Sequence, residues 1–425
     1  MKKIFALASV LLLTGCSLTS HFVAPRYQGS TTNVRETNKI KNVILFIGDG
    51  MGPNHVDAGG VLKGEPLCFD VTDENWAYHA YSNTDSRTSE GFTLDTTKSL
   101  LRPDLNPSLY DGTPSPYSPD GEKLGASGNI TTYTDSAAGG SALACGIKFT
   151  NSRIGMDIDG KPVENLVEIA KGLGKKAGVV TSDNIVGATP SDFLVHVGER
   201  HLSDEIIKGV ASSPVDVVLT ANCDEYKNGK STYESLFASN GFDNIAYNVS
   251  SLNSNANKVL GLFDKVGTKA DPRFPSLEEL TMFAIDKLDN QEGFFLMVEG
   301  SNIDKQSHSN QAGMMLEELL GFDRAVEAAT KWAEGRDDTI IVVTADHETG
   351  GLYYDRNNTS SQTIKKDIKW LSMNHSRTRV DIAVWGDITT FVENYSNKFS
   401  ELEGLPYWDN TDVFKLCSTY LTSNI

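Results

Sequence analysis

Residues 41–52 read KNVILFIGDGMG: an unbroken apolar run from Val43 to Ile47, then Asp49 set between glycines. A run with no polar alternation is what a strand buried on both faces requires. The same pattern returns at 175–182 (KKAGVVTS), 216–220 (DVVLT), 293–300 (GFFLMVEG) and 338–347 (DTIIVVTADH). Helical patterns such as PVENLVEIAKGLG at 162–174 lie between these runs. Alternation of short buried strands with helices predicts an α/β fold: a three-layer sandwich whose central sheet is largely parallel.

The chain has 425 residues, 39% of them hydrophobic and 22% charged, which is enough apolar material for one large catalytic domain, read here as 41–425. The formal net charge is −18 and no cluster of Lys and Arg stands out, so a nucleic-acid-binding role is not expected. Phosphate remains open as a ligand, because bound metal ions and one local Arg reverse the field inside a site.

Lys2 and Lys3, the apolar stretch Ile4 to Leu13 and the sequence Leu13-Thr14-Gly15-Cys16 read as a signal peptide (1–15) ending in a bacterial lipobox. Cys16 would then carry lipid and anchor the chain to a membrane. Ser17 after it points to an exported lipoprotein of the outer membrane, on the periplasmic or the outer side. Residues 16–40, polar and without apolar periodicity, read as a flexible tether. Cys68, Cys145, Cys223 and Cys417 are widely spaced and form no C-x-x-C metal signature; their spacing fixes no disulfide pairing, and Cys145 reads as a buried thiol. The stretch Thr84 to Gly128, rich in Pro, Gly and short polar residues, reads as an inserted excursion that either shapes the rim of a cleft or is decoration.

Open α/β sheets bind ligands at the carboxyl ends of their strands. Here three apolar runs end in Asp49, in Glu299 followed by Asp304, and in Asp346-His347. One such Asp is commonly a helix cap; three acidic ends with an adjacent His point to metal. Asp304 and His308 are four residues apart, so on a helix they share one face, as ligands of one ion or as a surface ion pair. His375, alone before an apolar strand, decides nothing by itself. Ser136 in TDSAAGGSALACG (134–146) opens a segment of small residues, where a helix amino end would favour phosphate; it is a candidate nucleophile or simply a cap. No G-x-S-x-G elbow is present, so a divalent ion would have to activate the hydroxyl.

Together IGDGMG, TDSAAGG, ATPSDFLVHVGER (188–200), VEGSNIDKQSH, TADHETGG and the late His375 resemble the alkaline phosphatase family, in order from about Lys41 to Gly386. That resemblance implies hydrolysis of small phosphate monoesters through a phosphoserine at Ser136, in two in-line displacements, with two Zn2+ and one Mg2+. It implies one zinc on Asp304, His308 and His375, and the other on Asp49, Asp346, His347 and the Ser136 oxygen. Magnesium would take Asp49, Glu299 and Thr189, Arg200 would clamp phosphate oxygens, and Lys305 would act nearby through water. The family often forms homodimers. One departure stands out: Gly187, two before Thr189, leaves without a side chain a position where many relatives carry an acidic residue or His. The magnesium shell must then draw on water or on a ligand from elsewhere.

Three rivals are weaker. A phosphodiesterase of the same superfamily would share the zinc pair, but Arg200, Thr189 and Glu299 argue against it. A sulfatase would need C/S-x-P-x-R, which TDSAAGG lacks. A non-catalytic binding lipoprotein would be expected to have lost a ligand or the nucleophile.

Overall fold

The structure is a computed structural model that describes residues 40–70, 76–86, 133–269, 273–395, 400–402 and 405–422. All belong to one compact unit, Arg35–Ile425. The expected signal peptide, Cys16 and nearly all of the tether lie outside the described residues, as does the excursion beyond Ser86. Ile40, the last tether residue, is buried in the core.

In chain order the strands are β1 (Asn42–Ile47), β2 (Tyr78–Asn83), β3 (Lys176–Asn184), β4 (Val217–Ala221), β5 (Phe242–Ala246), β6 (Lys258–Phe263) and β7 (Phe294–Glu299). They are followed by β8 (Thr339–Thr344), β9 (Glu348–Thr349), β10 (His375–Ser376), β11 (Val380–Trp385), β12 (Ser400–Leu402) and β13 (Leu405–Asp409). Eleven of them form one sheet, in the order β12-β13-β2-β11-β8-β1-β7-β3-β4-β6-β5, and β9 and β10 make a separate two-stranded antiparallel sheet. From β8 to β5 every pairing is parallel. β11 runs against both of its neighbours and β12 against β13.

Each predicted strand is present, and the continuous apolar runs have the expected cause. Val43, Leu45 and Ile47 enter one core, and Ile44 and Phe46 the other, on the opposite face of β1. The first core is capped by Ser136–Cys145, Leu166–Gly172, Ser203–Ser212 and Asn410–Thr422; the second by Pro53–Lys63, Leu277–Leu288 and Ala312–Ala333. This is the three-layer sandwich. Among the described residues no helix is long and apolar enough to cross a membrane.

Register aligns the chemistry. Ile47 pairs with Glu299, which pairs in turn with Thr181, while Ile47 also pairs with Thr344. The strand ends that carry Asp49, Glu299 and Asp346 therefore emerge side by side at the carboxyl edge.

Candidate active site

Two groups of ligand-type side chains converge at that edge. Asp304, His308 and His375 form one, and Asp49, Asp346 and His347 the other; within each group the facing nitrogen and oxygen atoms lie within 4.8 Å of one another. The rings of His347 and His375 stack with centroids 3.6 Å apart, so the groups make one site.

Asp304 and His308 lie on the short helix Asn302–His308, as their spacing predicts, and His375 arrives on β10. The His308 Nδ1–H donates to the Met373 carbonyl and the His375 Nδ1–H to the Thr134 carbonyl, both at 2.6 Å. A carbonyl oxygen only accepts, so neutral rings so held turn the Nε2 lone pairs inward. These nitrogens are 3.0 Å apart, and each also faces Asp304, at 3.3 and 3.5 Å. Lone pairs aimed at each other and at a carboxylate require a cation among them. Protonation is one way to meet that need: burial opposes the charge, but Asp304 pushes His308 up to about 9, and the two histidines hold Asp304 well below the usual carboxylate range.

The second group has the same logic. Thr349 donates its one hydroxyl hydrogen to Asp304 Oδ1, so its oxygen accepts the Nδ1–H of His347 at 3.3 Å. His347 Nε2 then points its lone pair at Asp346 Oδ2 (3.2 Å) and Asp49 Oδ1 (3.5 Å). Both of these oxygens are buried and accept no hydrogen bond. Burial, reinforced by neighbouring carboxylates, raises Asp346 to about 7 and Asp49 well above its ordinary value. Gly50 makes the approach possible: its φ is +73°, its N–H donates to Asp346 Oδ1, and a Cβ there would sit 2.9 Å from Asp304 Oδ1.

Ser136 lies between the groups and the helix it opens. Asp135, not Ser136, is the cap, accepting the Ala138 N–H at 2.9 Å. The serine hydroxyl is thereby left to face His347 Nε2 at 3.2 Å. The other Asp135 oxygen accepts from Arg200 Nη1 at 3.1 Å, so the cap also orients the guanidinium; this charge outweighs the penalty of burial and raises the Arg200 pKa.

Further oxygens gather around Glu299, whose charge acts on Asp49. Thr189 Oγ1 and Glu299 Oε1 are buried and make no hydrogen bond, while Glu299 Oε2 accepts from Thr181. Burial and then the nearby Asp183 push Glu299 up to about 8. Lys305, reaching in from the surface, pairs directly with Asp183. Asp183, Thr181 and Thr349 escaped the sequence reading. A signal for Asp183 was present, since VVTSD is another apolar run ending in an acid.

The family profile of alkaline phosphatases matches residues 126–220 and 229–398. The chain belongs to the alkaline phosphatase family. Alkaline phosphatase 4 of Bacillus subtilis (strain 168) is 31% identical over 363 residues, covering 82% of this chain and 70% of that one. The fold is shared with Thermus thermophilus alkaline phosphatase, at TM-score 0.68 and 21% identity over 90% of this chain and 92% of that one. It is also shared with a variant of the TAB5 alkaline phosphatase solved with Mg bound in its M3 site, at TM-score 0.64 to 0.65 for the TAB5 structures; the variant is 24% identical and the match covers 92% of this chain and all of that one. As an alkaline phosphatase family member the chain is a hydrolase, and family and fold support phosphomonoesterase activity. The cysteines Cys68, Cys145, Cys223 and Cys417 are free thiols, and Cys145 is buried, as expected for this core.

Proposed function

We propose that this chain hydrolyses phosphate monoesters to an alcohol and inorganic phosphate through a phosphoserine at Ser136, using two zinc ions and one magnesium ion. The observation that carries the reading is the pair of inward-facing ligand groups flanking the Ser136 hydroxyl. Both are built so that nitrogen lone pairs and buried carboxylate oxygens share a point where a cation removes the conflict. The donor chemistry fits. Asp304, His308 and His375 would hold one zinc and Asp49, Asp346, His347 and Ser136 the other, because imidazole with carboxylate suits that ion. Asp49, Glu299 and Thr189, oxygen donors only, would hold magnesium. When bound, these ions supply Lewis acidity, favouring ionised oxygen at nucleophile and leaving group and stabilising charge on the phosphoryl group.

The protein's own groups divide the remaining work. Ser136 Oγ attacks phosphorus in line with the leaving oxygen, and the alcohol departs. Arg200 uses the N–H groups not spent on Asp135 to hold the non-transferred oxygens as a two-pronged contact. The amino end of the helix Ser136–Cys145 adds its partial positive charge on the same side. Water then displaces the serine oxygen in line, so the configuration at phosphorus is retained. Asp135 maintains the geometry through both steps, and Lys305 places a positive charge at the edge through water.

The lipobox at residues 13–16 supports an exported enzyme anchored by lipid on Cys16, with the tether giving the domain reach from the membrane and homodimers as in many relatives.

The test is turnover of an aryl phosphate monoester and the matching diester, with zinc and magnesium supplied, beside Ser136→Ala. Expected is monoester hydrolysis that falls by at least ~1000-fold in the variant, with its zinc content unchanged. Preference for the diester would move the assignment to a phosphodiesterase, and inactivity of the metal-loaded wild type would leave a binding protein.

A further inference from the structure

The missing side chain at position 187 leaves a question that the fold answers from a different strand. Gly187 precedes the helix Ala188–Asp192, which carries Thr189, and its φ of −55° is one any residue adopts. Conformation therefore does not demand glycine there. Space does: a Cβ on residue 187 would lie 2.5 Å from Asp183 Oδ2. Asp183, near the end of β3, occupies the volume into which a side chain at 187 would grow.

Asp183 is tied to the oxygen-lined region on three sides. Its N–H donates to Thr181 Oγ1 at 2.7 Å, and the Thr181 hydroxyl donates to Glu299 Oε2. Its Oδ1 accepts from Lys305 Nζ and, at 2.7 Å, from the Asn184 N–H. Its charge acts on Glu299 and on Asp49, helping to raise both. Two buried oxygens here make no hydrogen bond, Glu299 Oε1 and Thr189 Oγ1, and a third, Asp49 Oδ1, faces His347 in the second ligand group. Three carboxylates around unpartnered oxygens, with one ammonium reaching in from the surface, are short of positive charge. A hard divalent ion with oxygen ligands supplies it.

We infer that Asp183 provides the carboxylate that position 187 lacks, completing the shell of the oxygen-ligated third ion and anchoring Lys305 at its edge. The inference rests on the magnesium assignment made above. It replaces a donor at the turn before the helix by one on the preceding strand, so the same side of the site is closed by a residue four positions earlier.

The test uses the full-length enzyme, loaded with zinc and freed of magnesium, titrated calorimetrically with Mg2+ alone; metal content is counted after dialysis. Wild type is expected to take up one Mg2+ per chain. Asp183→Ala and the isosteric Asp183→Asn should each bind it at least ~10-fold more weakly while retaining two zinc ions. The double variant Asp183→Ala/Gly187→Asp should recover most of the affinity, because the new side chain enters the volume vacated at 183. Gly187→Asp alone should not bind better than wild type. Wild-type magnesium affinity in both Asp183 variants, with Glu299→Gln losing it, would overturn the role of Asp183 and leave the third-ion assignment standing. Loss of zinc together with magnesium, without rescue by the double variant, would reduce Asp183 to a scaffold residue and also overturn the inference. A wild type that takes up no Mg2+ would overturn the third-ion assignment and this inference with it.

Discussion

Two hydrogen atoms decide the character of the His308–His375 pair. With each Nδ1–H given to a backbone carbonyl, the rings have fixed tautomers and their remaining nitrogens face inward, free to share a cation. Thr349 does for the second group what the carbonyls do for the first, and it joins the two by touching both Asp304 and His347. Replacing it with valine keeps the shape and removes both contacts. Thr349→Val should retain zinc 10–100-fold less tightly, roughly the effect of losing an outer partner, read by competition with a chromogenic chelator; unchanged affinity would show that Thr349 only fills space. At this scale the sequence marked the residues that cluster and missed what orients them. Asp49, Glu299, Asp346 and His347 follow recognisable apolar runs. The carbonyls of Met373 and Thr134 have no residue signature at all, and Thr349 became meaningful only once the chain had brought it beside Asp304.

The helix Ser136–Cys145 brings Ser136, the proposed nucleophile, to the site because its small residues let it lie directly against the Asp346-His347 segment. A Cβ on Gly139 would stand 2.7 Å from the Asp346 carbonyl oxygen, a backbone atom with little freedom to yield. Gly139→Ala should cost about 1–3 kcal/mol of stability as an overpacked contact and lower turnover further by displacing Ser136; wild-type melting and kinetics would show that the helix tolerates the shift. Beside it, His196 bridges Glu168, at 3.0 Å, and the Gly155 carbonyl. The Glu168 bond raises the His196 pKa above its ordinary 6.5 against the opposing effect of partial burial, and that pairing in turn lowers Glu168 below 4.5 against its own desolvation. A raised histidine stabilises fully below 6.5 and loses its contribution as pH climbs through its folded value; a lowered glutamate contributes above 4.5 and loses it on acidification. The pair is therefore strongest between those values. His196→Ala should destabilise by about 1 kcal/mol more near pH 6 than near pH 9, measured by denaturant unfolding; a pH-independent difference would contradict the ion pair. The parallel strands β1, β3, β4, β7 and β8 were legible because burial on both faces demands continuous apolar runs, while β6 (KVLGLF), equally buried, went unread. β2 (YHAYSN) is almost wholly buried but carries polar residues, and β5 (FDNIA) is a half-exposed edge strand, so neither shows a continuous apolar run.

Across the whole molecule, strand register gathers carboxylates at one edge of an already acidic protein, and the stability of the ion-free state must reflect it. Burial first, then neighbouring charge, lifts Glu299 to about 8 and Asp346 to about 7, from ordinary values of 4.5 and 3.8. A folded state that holds protons which the unfolded state has released loses stability as pH rises from about 4 through those values. Ions held there, as proposed, would remove that penalty, and their binding would strengthen as ligands deprotonate. The gap in Tm between zinc-loaded and chelated protein should therefore widen from pH 5 to pH 9, read by calorimetry; a constant gap would mean the carboxylate cluster is not what the ions relieve. The parallel α/β architecture was foreseen from sequence, since five of its parallel strands, β1, β3, β4, β7 and β8, contained their own signal. The closeness of Asp183 to Gly187 was not, because it depends on which residue of one strand lies opposite a glycine on the following turn.

The most direct measurement is to quench the metal-loaded enzyme in acid during turnover of an aryl phosphate monoester and locate the bound phosphate by peptide mass mapping. Phosphate on Ser136, absent from Ser136→Ala and from chelated enzyme, is the expected result. Steady turnover with no phosphorylated peptide, or with the phosphate on another residue, would contradict the phosphoserine route.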